Sequence, residues 1–220
     1  MKNAKLISFD LDNTLVDPGY VTYIWEIAVP LLYAKKYNTS LSVAKTKVIS
    51  EYERVGDSSL EWYDIKYWFD FFKLPESWGD VLDKHRHKVL LFPEVKNVIR
   101  DLSQYFDLII TSNAAREFVD IEIKEAGIED YFIKTFSATS DFGQVKKTPE
   151  FYEKICTAMK VEPLNTVHVG DHYEFDYIAP KKLGINAYHL NRDGDKQAGQ
   201  FVVKNLKEFS SLIKNEKQVF

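Results

Sequence analysis

Residues 6–15 read Leu6-Ile7-Ser8-Phe9-Asp10-Leu11-Asp12-Asn13-Thr14-Leu15, an apolar run that ends in two acids separated by one residue. Such a run is typical of a buried strand, and it carries Asp10 and Asp12 to the carboxyl end of that strand. In open α/β sheets, ligands bind at this edge. An unpaired buried carboxylate is costly, so the two acids need a cation, hydrogen-bond donors or perturbed pKa values. The stretch therefore predicts a strand that ends in a functional site, and the alternative interpretation is a solvated turn.

Strands and helices alternate along most of the chain. Besides a first strand over Lys5–Asp10, apolar runs predict strands over Phe106–Ser112, Ile133–Ala138, Thr166–Gly170 and Ile185–Leu190. Helical spacing of apolar residues lies between them, as at Val95, Val98, Ile99 and Leu102, and Pro149 opens a further helix. This order predicts an α/β protein built on βαβ units, with a doubly wound parallel five-stranded sheet.

Several titratable residues on these elements have ordinary interpretations. The helix after the second strand carries Phe118 on an apolar face and Glu122 and Glu125 on an acidic face. His168 lies inside a strand and is predicted to be a core histidine, whereas His172 follows a strand end and is a candidate for substrate contact.

A long helical insertion separates the first two strands. About 75 residues, from Asp17 to Leu91, lack a strand pattern, and helical periodicity covers roughly 21–37, 40–54, 59–72 and 77–90. All four tryptophans and 14 of the 32 aromatic residues lie there, enough to bury a small core. Pro30 should kink the first of these helices, and Tyr63 and Tyr67, off the main apolar stripe, are candidates for a pocket wall. We therefore expect a core domain over 1–16 and 92–220 and an all-helical domain over 17–91, joined by a hinge at the Pro- and Gly-containing crossings.

Composition excludes several classes of protein. The net charge of -4 argues against a strongly basic nucleic-acid surface. No run approaches the roughly 18–20 apolar residues of a membrane span, and no apolar signal core follows the N-terminus. Cys156 is the single cysteine, so no intramolecular disulfide can form, and a small core residue is its expected role. These features predict a soluble cytoplasmic protein without nucleic-acid or membrane partners.

Three further strand ends carry polar residues. They are Thr111-Ser112-Asn113, the segment from Gly143 to Tyr152 with Lys146 and Lys147, and Gly170-Asp171 followed by Asp176. Together with Asp10-Leu11-Asp12, these segments resemble, in order and spacing, the four motifs of the haloacid dehalogenase superfamily, most of whose members are phosphatases. The insertion matches the helical cap that many members carry after the first strand. The resemblance covers nearly the whole chain and implies a Rossmann-like core with an inserted all-helical cap domain.

The resemblance implies a phosphate-binding role for a strand-end hydroxyl and a lysine. Ser112 matches best because Asn113 follows it, and Thr111 is the fallback. Aligning the helix opening puts Lys146 on the motif lysine, but the family usually has Pro directly after that residue. This chain has Lys147 there, so the choice between the two lysines stays open.

The acids imply a divalent metal. Two like charges about 4 Å apart repel by about 4 kcal/mol at an effective dielectric constant of about 20, so the motif acids and a phosphate need compensating cations. Hard carboxylate oxygens suit Mg²⁺. By resemblance, its ligands are Asp10, the main-chain carbonyl of Asp12 and Asp171, while Asp176 ligates the metal or orients a metal-bound water.

The implied reaction is Mg²⁺-dependent hydrolysis of a small phosphorylated metabolite. Asp10 would form an aspartyl phosphate, Asp12 would act as general acid and base, and Asn13 and Thr14 would shape the loop. Dehalogenases of the superfamily lack an acid at the position of Asp12, which disfavours that activity. Phosphomutases keep both acids and remain an alternative, as does a non-catalytic phosphate-binding or scaffold protein.

The insertion has ten basic and eleven acidic residues over 17–91, so its charge gives no sign that it binds a polyanion. Arg54, Lys66 and Arg86 are unranked candidates for contact with a second anionic group, and both a monomer and a homodimer are compatible with the sequence.

Overall fold

A parallel β-sheet lies at the centre of the molecule. The computed structural model describes residues 5–194 and 201–218, so residues 1–4, 195–200 and 219–220 of the predicted core domain lie outside the described residues. Within the described ranges the strands are β1 (Leu6–Phe9), β2 (Asp107–Ser112), β3 (Lys134–Ser137), β4 (Thr166–Gly170), β5 (Asn186–Leu190) and β6 (Val202–Val203). All pairings are parallel, in the order β3-β2-β1-β4-β5-β6.

The five predicted strands are confirmed to within one residue at each end, but the predicted strand number was wrong. The described part of the chain forms a six-stranded sheet, because β6 pairs with β5 at the edge. The pairing aligns His189 with Val202 and Leu190 with Val203. A two-residue edge strand contains too few residues to show a period of two, so the sequence pattern gave no signal for it.

The predicted insertion over 17–91 is mainly helical. Its helices are α1 (Gly19–Tyr23), α2 (Val29–Tyr37), α3 (Leu41–Val55), α4 (Leu60–Tyr63), α5 (Ile65–Phe71) and α6 (Trp78–His85). The pattern predicted over 59–72 is two helices rather than one, because Asp64 interrupts it. The Asp64 carboxylate accepts hydrogen bonds from the backbone N–H groups of Lys66 (2.8 Å) and Tyr67 (3.3 Å) and so caps α5.

The irregularity predicted at Pro30 is present just upstream of it. A π-helical turn over Ile24–Ala28 joins α1 to α2. Proline has no N–H to donate to the carbonyl four residues earlier, so regular α-helical bonding cannot continue through this turn.

The two crossings between the insertion and the sheet run side by side. The Asp17 N–H donates to the Leu90 carbonyl (2.8 Å), and the Phe92 N–H donates to the Leu15 carbonyl (3.2 Å). The apolar residues of the insertion are continuous with one apolar layer of the sheet. Trp25 of the insertion stacks on Phe118, with ring centroids 5.5 Å apart. The insertion therefore packs against the sheet domain in addition to burying aromatic residues of its own.

The remaining helices cover both faces of the sheet. They are α7 (Val95–Leu102), α8 (Arg116–Glu125), α9 (Ala138–Phe142), α10 (Pro149–Met159), α11 (Ala179–Lys182) and α12 (Leu206–Gln218). Successive strand residues alternate between two apolar clusters: Ile7 belongs to one and Leu6 to the other. The doubly wound prediction is confirmed, and Cys156 is buried in α10 as expected. Among the residues that the structure describes, none of the helices combines the length and apolarity that a membrane crossing requires.

Candidate active site

The sheet order places the first acidic pair at a topological switch point. From β1 the chain moves to β2 and β3 on one side, and it then crosses to β4 and β5 on the other. Phe9 is aligned with Ile110 of β2 and Val169 of β4, so Asp10 leaves the sheet between these two strands. The ends of β2 and β4, with Ser112 and Gly170, reach the same edge. Ligands bind at such a position in open α/β sheets.

Lys147 lies at the centre of the acidic cluster. Its Nζ is 2.5 Å from Asp10 Oδ1 and 2.5 Å from Asp176 Oδ1, and it donates to the Thr111 carbonyl (3.2 Å). The side chain is 2 % exposed. Although burial alone would lower the pKa of Lys147, the charges of Asp10 and Asp176 raise it above its usual range. Lys147 is therefore a permanently charged ammonium group held between two carboxylates.

The placement of Lys146 on the motif position is corrected by this geometry. Lys146 Nζ lies over the ring of Phe175, 5.8 Å from its centroid, and not between the carboxylates. The hydroxyl of Thr148 caps α10 and Pro149 follows as its first residue, so Lys147 is the residue that directly precedes the cap. In this chain, the capping threonine separates the inward-facing lysine from the proline.

Asp176 holds the ammonium group of Lys147 through a buried ion pair. Its Oδ1 also lies 3.1 Å from His168 Nε2, and its Oδ2 accepts from the His172 N–H (3.0 Å). Burial opposes ionisation, but the Lys147 charge and the hydrogen bond with His168 hold the pKa of Asp176 well below its usual range. Both carboxylate oxygens are thus engaged by protein groups. A Cβ on Gly170 would lie 2.4 Å from Asp176 Cγ, so only glycine fits beside this carboxylate.

A buried hydrogen-bonded chain lies beneath the site. His168 Nδ1 is 2.9 Å from Ser8 Oγ, which is 2.9 Å from Thr111 Oγ1, and the Tyr152 hydroxyl is 3.1 Å from His168 Nε2. The prediction that His168 lies in the core is confirmed. The contact between His168 Nε2 and Asp176 Oδ1 was not predicted from the sequence. Burial lowers the pKa of His168, although the hydrogen bond to Asp176 opposes this. The chain connects β1, β2 and β4 and fixes the position of Asp176.

The residues at the end of β2 differ in orientation. The Thr111 hydroxyl is engaged with Ser8 inside the sheet. Ser112 Oγ accepts from the Ala114 N–H (3.0 Å) at the strand end, which leaves its own O–H for another acceptor. Asn113 Oδ1 is buried and has no donor among the described residues. These contacts favour Ser112 over Thr111 as the residue that faces a ligand.

The loop after Asp10 is held in one conformation. Asn13 has a left-handed backbone (φ 58°), and its Nδ2 donates to Asp171 Oδ2 (2.8 Å). The Thr14 hydroxyl donates to Asp10 Oδ2 (3.0 Å). Arg192 donates to the carbonyls of Asn13 (3.2 Å) and Thr14 (2.7 Å). Asn13 and Thr14 were predicted to shape this loop, whereas Arg192 was missed because no local pattern connects residues so far apart in the sequence.

Three of the predicted acids form a group with metal-ligand spacing. Carboxylate oxygens of Asp10, Asp171 and Asp176 lie within 4.8 Å of one another, and the Asp12 carboxylate is not part of this group. Burial, together with repulsion from Asp176 and Asp171, raises the pKa of Asp10 although Lys147 opposes it. Burial and the Asp176 charge also raise the pKa of Asp171, against a hydrogen bond from Asn13. Three carboxylates thus face the single ammonium group of Lys147, and hard oxygen donors of this kind fit a divalent cation such as Mg²⁺.

The Asp12 carboxyl group lies outside that three-acid group and close to the buried carboxyl group of Glu122. Burial and the Asp171 charge raise the pKa of Asp12 to about 6, while Lys147 opposes the shift. Glu122 is fully buried rather than on the predicted acidic face, and burial and the charges of Asp12 and Asp10 raise its pKa. Among the described residues, Asp12 Oδ1 and both Glu122 oxygens have no hydrogen-bond donor. The spacing of four residues from Phe118 was the signal that Glu122 shares the buried side of α8.

Two cavities lie between the sheet edge and the insertion. One of about 220 Å³ is lined by Asp12, Val21, Trp25, Trp62, Tyr63, Asn113, Ala114, Ala115 and Phe118. A second, of about 490 Å³, adjoins it at Tyr63 and Ala115. The prediction that Tyr63 lines a pocket is confirmed. Tyr67 instead packs on Trp68 and Phe71.

The ring of His172 stacks on that of Phe175 with centroids 3.9 Å apart. The contact of His172 with a substrate stays a prediction.

The fold and site define a doubly wound α/β protein with a cluster of acids and one lysine at the switch point and a helical insertion after β1. The model of the haloacid dehalogenase-like hydrolases matches residues 4–184. The chain belongs to this family.

Individual relatives and structures agree with this assignment. Glyceraldehyde 3-phosphate phosphatase from Pyrococcus furiosus is 25% identical over 98% of this chain and 95% of its own length. Phosphoglycolate phosphatase from Vibrio vulnificus strain CMCP6 is 28% identical over 52% of this chain, which spans half of that relative's length. A solved structure of a HAD phosphatase from Thermococcus onnurineus superimposes with a TM-score of 0.83 at 24% identity, covering 95% of this chain and 97% of the other. YfnB from Bacillus subtilis, solved with magnesium, gives a TM-score of 0.68 at 19% identity, over 97% of this chain and 100% of its own.

Proposed function

We propose that this protein is a Mg²⁺-dependent phosphohydrolase that cleaves a small phosphorylated metabolite through an aspartyl phosphate on Asp10. The observation that carries the proposal is the convergence of Asp10, Asp171 and Lys147 at the carboxyl edge of β1 and β4. The relatives named as phosphatases of glyceraldehyde 3-phosphate and phosphoglycolate support the same reaction class.

Asp10 is held as a nucleophile by two donors. Lys147 binds Oδ1 and the Thr14 hydroxyl binds Oδ2, so the carboxylate cannot rotate away from an incoming phosphorus atom. Attack by a carboxylate oxygen forms an acyl phosphate and expels the alcohol, and a water molecule then attacks phosphorus to release inorganic phosphate and restore Asp10.

Asp12 is proposed as the general acid and base. It must hold a proton when the alcohol leaves and accept one when water attacks. A pKa of about 6 lies close enough to neutral pH for both tasks. Asp12 also lines the 220 Å³ cavity, which is the proposed space for the leaving group.

The phosphoryl oxygens are proposed to contact the Ser112 hydroxyl, the Asn113 side chain or backbone and the Lys147 ammonium group. Asp10, Asp171 and the main-chain carbonyl of Asp12 would hold Mg²⁺, and Asp176 would act mainly by fixing Lys147. When bound, the metal supplies a positive charge that stabilises charge developing on the transferring phosphoryl group.

The insertion over 17–91 is proposed to act as a cap domain. Its two crossings run side by side at Asp17 and Leu90, a geometry suited to a hinge. Lys66 of the insertion pairs with Glu117 of α8, and Arg86 lies 3.5 Å from Glu125. These exposed ion pairs are weak enough to break when the cap opens for substrate and product exchange.

Chelation provides the direct test of this function. Hydrolysis of p-nitrophenyl phosphate should require Mg²⁺, stop in excess EDTA and return when Mg²⁺ is added back. Asp171→Asn should raise the Mg²⁺ concentration for half-maximal rate at least about tenfold, because it removes a charged ligand. Asp130→Asn, at an exposed carboxylate, is the matched control and should leave this concentration unchanged.

Two results would contradict the proposal. Hydrolysis that persists in EDTA would reject the metal-dependent mechanism. Activation by a bisphosphate with little net release of inorganic phosphate would identify a phosphomutase instead.

A further inference from the structure

The cavity beside Asp12 has an aromatic wall. Trp25, Trp62 and Tyr63 of the insertion and Phe118 of α8 line it, and the polar groups that reach it include the Asp12 carboxyl and Asn113. None of the described residues that line this space is Lys, Arg or His. A cavity of about 150 Å³ is enough to bind benzene, so 220 Å³ admits one ring or a short chain.

The aromatic wall is fixed by ring contacts. Trp25 stacks on Phe118 with an interplanar angle of 25°. Tyr52 meets Trp25 edge-on, with centroids 5.6 Å apart, and also contacts Trp62 at 6.3 Å. Because these rings support one another, the wall has a defined shape while the insertion packs against the sheet domain.

The basic side chains of the insertion that were candidates for binding a second anion are each paired with an acid, and of these three only Lys66 lines the adjoining cavity. Arg54 pairs with Glu51 (2.7 Å), Arg86 with Asp83 (3.0 Å) and Lys66 with Glu117. In the adjoining 490 Å³ cavity, acids outnumber bases among the lining residues, which include Glu61, Asp64, Lys66, Arg116, Glu117 and Asp120. An anionic leaving group would therefore meet net negative charge in the larger space and no basic side chain in the smaller one.

We infer that this site selects phosphate monoesters whose leaving group is uncharged and flat or apolar, and that it discriminates against esters that carry a carboxylate or a second phosphate. The inference rests on the proposed function and names the substrate class of the same site. A carboxylate placed between Trp62 and Asp12 would lose its hydration without gaining a cation, whereas a ring would bury its faces on the aromatic wall. The substrate preference thus differs from that given by the name of the Vibrio vulnificus relative, since phosphoglycolate carries a carboxylate.

Three esters with alkoxide leaving groups test this directly. Ethyl phosphate and phosphoglycolate share a two-carbon skeleton and differ by the carboxylate, and benzyl phosphate adds a ring. We expect kcat/KM to fall in the order benzyl phosphate, ethyl phosphate, phosphoglycolate, with at least about a tenfold difference between the first and the last. Phosphoglycolate turned over as fast as ethyl phosphate, or faster, overturns the inference and leaves the proposed function intact. No turnover of any ester overturns the proposed function and the inference with it.

Two tryptophan variants test whether the aromatic wall causes the preference for benzyl phosphate. Trp62→Ala should raise KM for benzyl phosphate about tenfold and raise KM for ethyl phosphate much less, because only the benzyl ring is long enough to contact the Trp62 side chain. Trp78→Ala, in α6 of the same insertion but outside the lining of this cavity, is the matched control and should leave the ratio of the two esters unchanged. The ratio of the values for the two esters does not depend on the folded fraction of a variant, because both esters are assayed with the same preparation. An equal loss on both esters in Trp62→Ala contradicts the role of the aromatic wall.

Discussion

Asp10→Asn is expected to lower turnover of any phosphate ester by about 10⁴-fold or more, because it removes the proposed nucleophile. Asparagine has nearly the same shape as aspartate, and its one carbonyl oxygen can still accept the hydrogen bond from Lys147, while the Thr14 hydroxyl can turn to accept one from the new amide group. The loss should therefore appear in kcat, measured as phosphate release under saturating Mg²⁺ and substrate.

The same substitution should leave the melting temperature near that of the wild type. The pKa of Asp10 in the folded protein is raised by burial and by Asp176 and Asp171. A group whose folded-state pKa is raised stabilises the fold when it is protonated and loses that contribution as the pH rises through the folded-state value. Asp10→Asn removes the repulsion from Asp176 and Asp171, and Lys147 keeps Asp176 as its buried partner, so these effects offset the loss of the Asp10–Lys147 ion pair. Asp107→Asn, at the exposed start of β2, is the matched control and should change neither property. More than about 1 % residual activity in Asp10→Asn would reject covalent catalysis by Asp10.

Lys147→Met is expected to reduce both activity and stability. The Lys147 ammonium contacts Asp10 and Asp176, which are both buried, so its removal leaves two carboxylates without their cation. Breaking a buried ion pair by removing one partner costs about 3 kcal/mol or more. We expect a loss of about that size in the free energy of unfolding from chemical denaturation, and a loss of activity of about 10³-fold.

The neighbouring lysine supplies the matched control. Lys146→Met removes the same charge one residue away, where the ammonium lies over the Phe175 ring at 5.8 Å. A contact of this kind contributes about 0.5–1 kcal/mol, so activity should stay within about threefold of the wild type. The opposite result, an inactive Lys146→Met beside an active Lys147→Met, would contradict the geometry described for the site.

The fold was predictable because its strands are nearly continuous apolar runs. β1, β2 and β4 are buried between two helical layers, and few other structures accommodate such runs between amphipathic helices. The acids at their carboxyl ends followed from the parallel order, since parallel strands end at one edge of the sheet. The domain boundaries at 16/17 and 91/92 stay a prediction.

The details of the site needed three-dimensional information. Lys146 and Lys147 are adjacent and chemically identical in the sequence, and only the start of α10 determines which of them turns inward. Glu122 has the spacing of a buried residue but carries a charged side chain. Because of its charge it was predicted to lie on an acidic face, whereas the structure buries it. Arg192 donates to the loop after Asp10 from 178 residues further along the sequence, and no local pattern predicts such a contact.

The most direct test is a crystal structure of the protein with Mg²⁺ and orthovanadate, which mimics a phosphoryl group during transfer. We expect vanadium to bond to a carboxylate oxygen of Asp10, Mg²⁺ to be ligated by Asp10 and Asp171, and the Lys147 ammonium and Ser112 hydroxyl to contact vanadate oxygens. Vanadate bound away from Asp10, or Mg²⁺ held by residues other than Asp10 and Asp171, would contradict the mechanism.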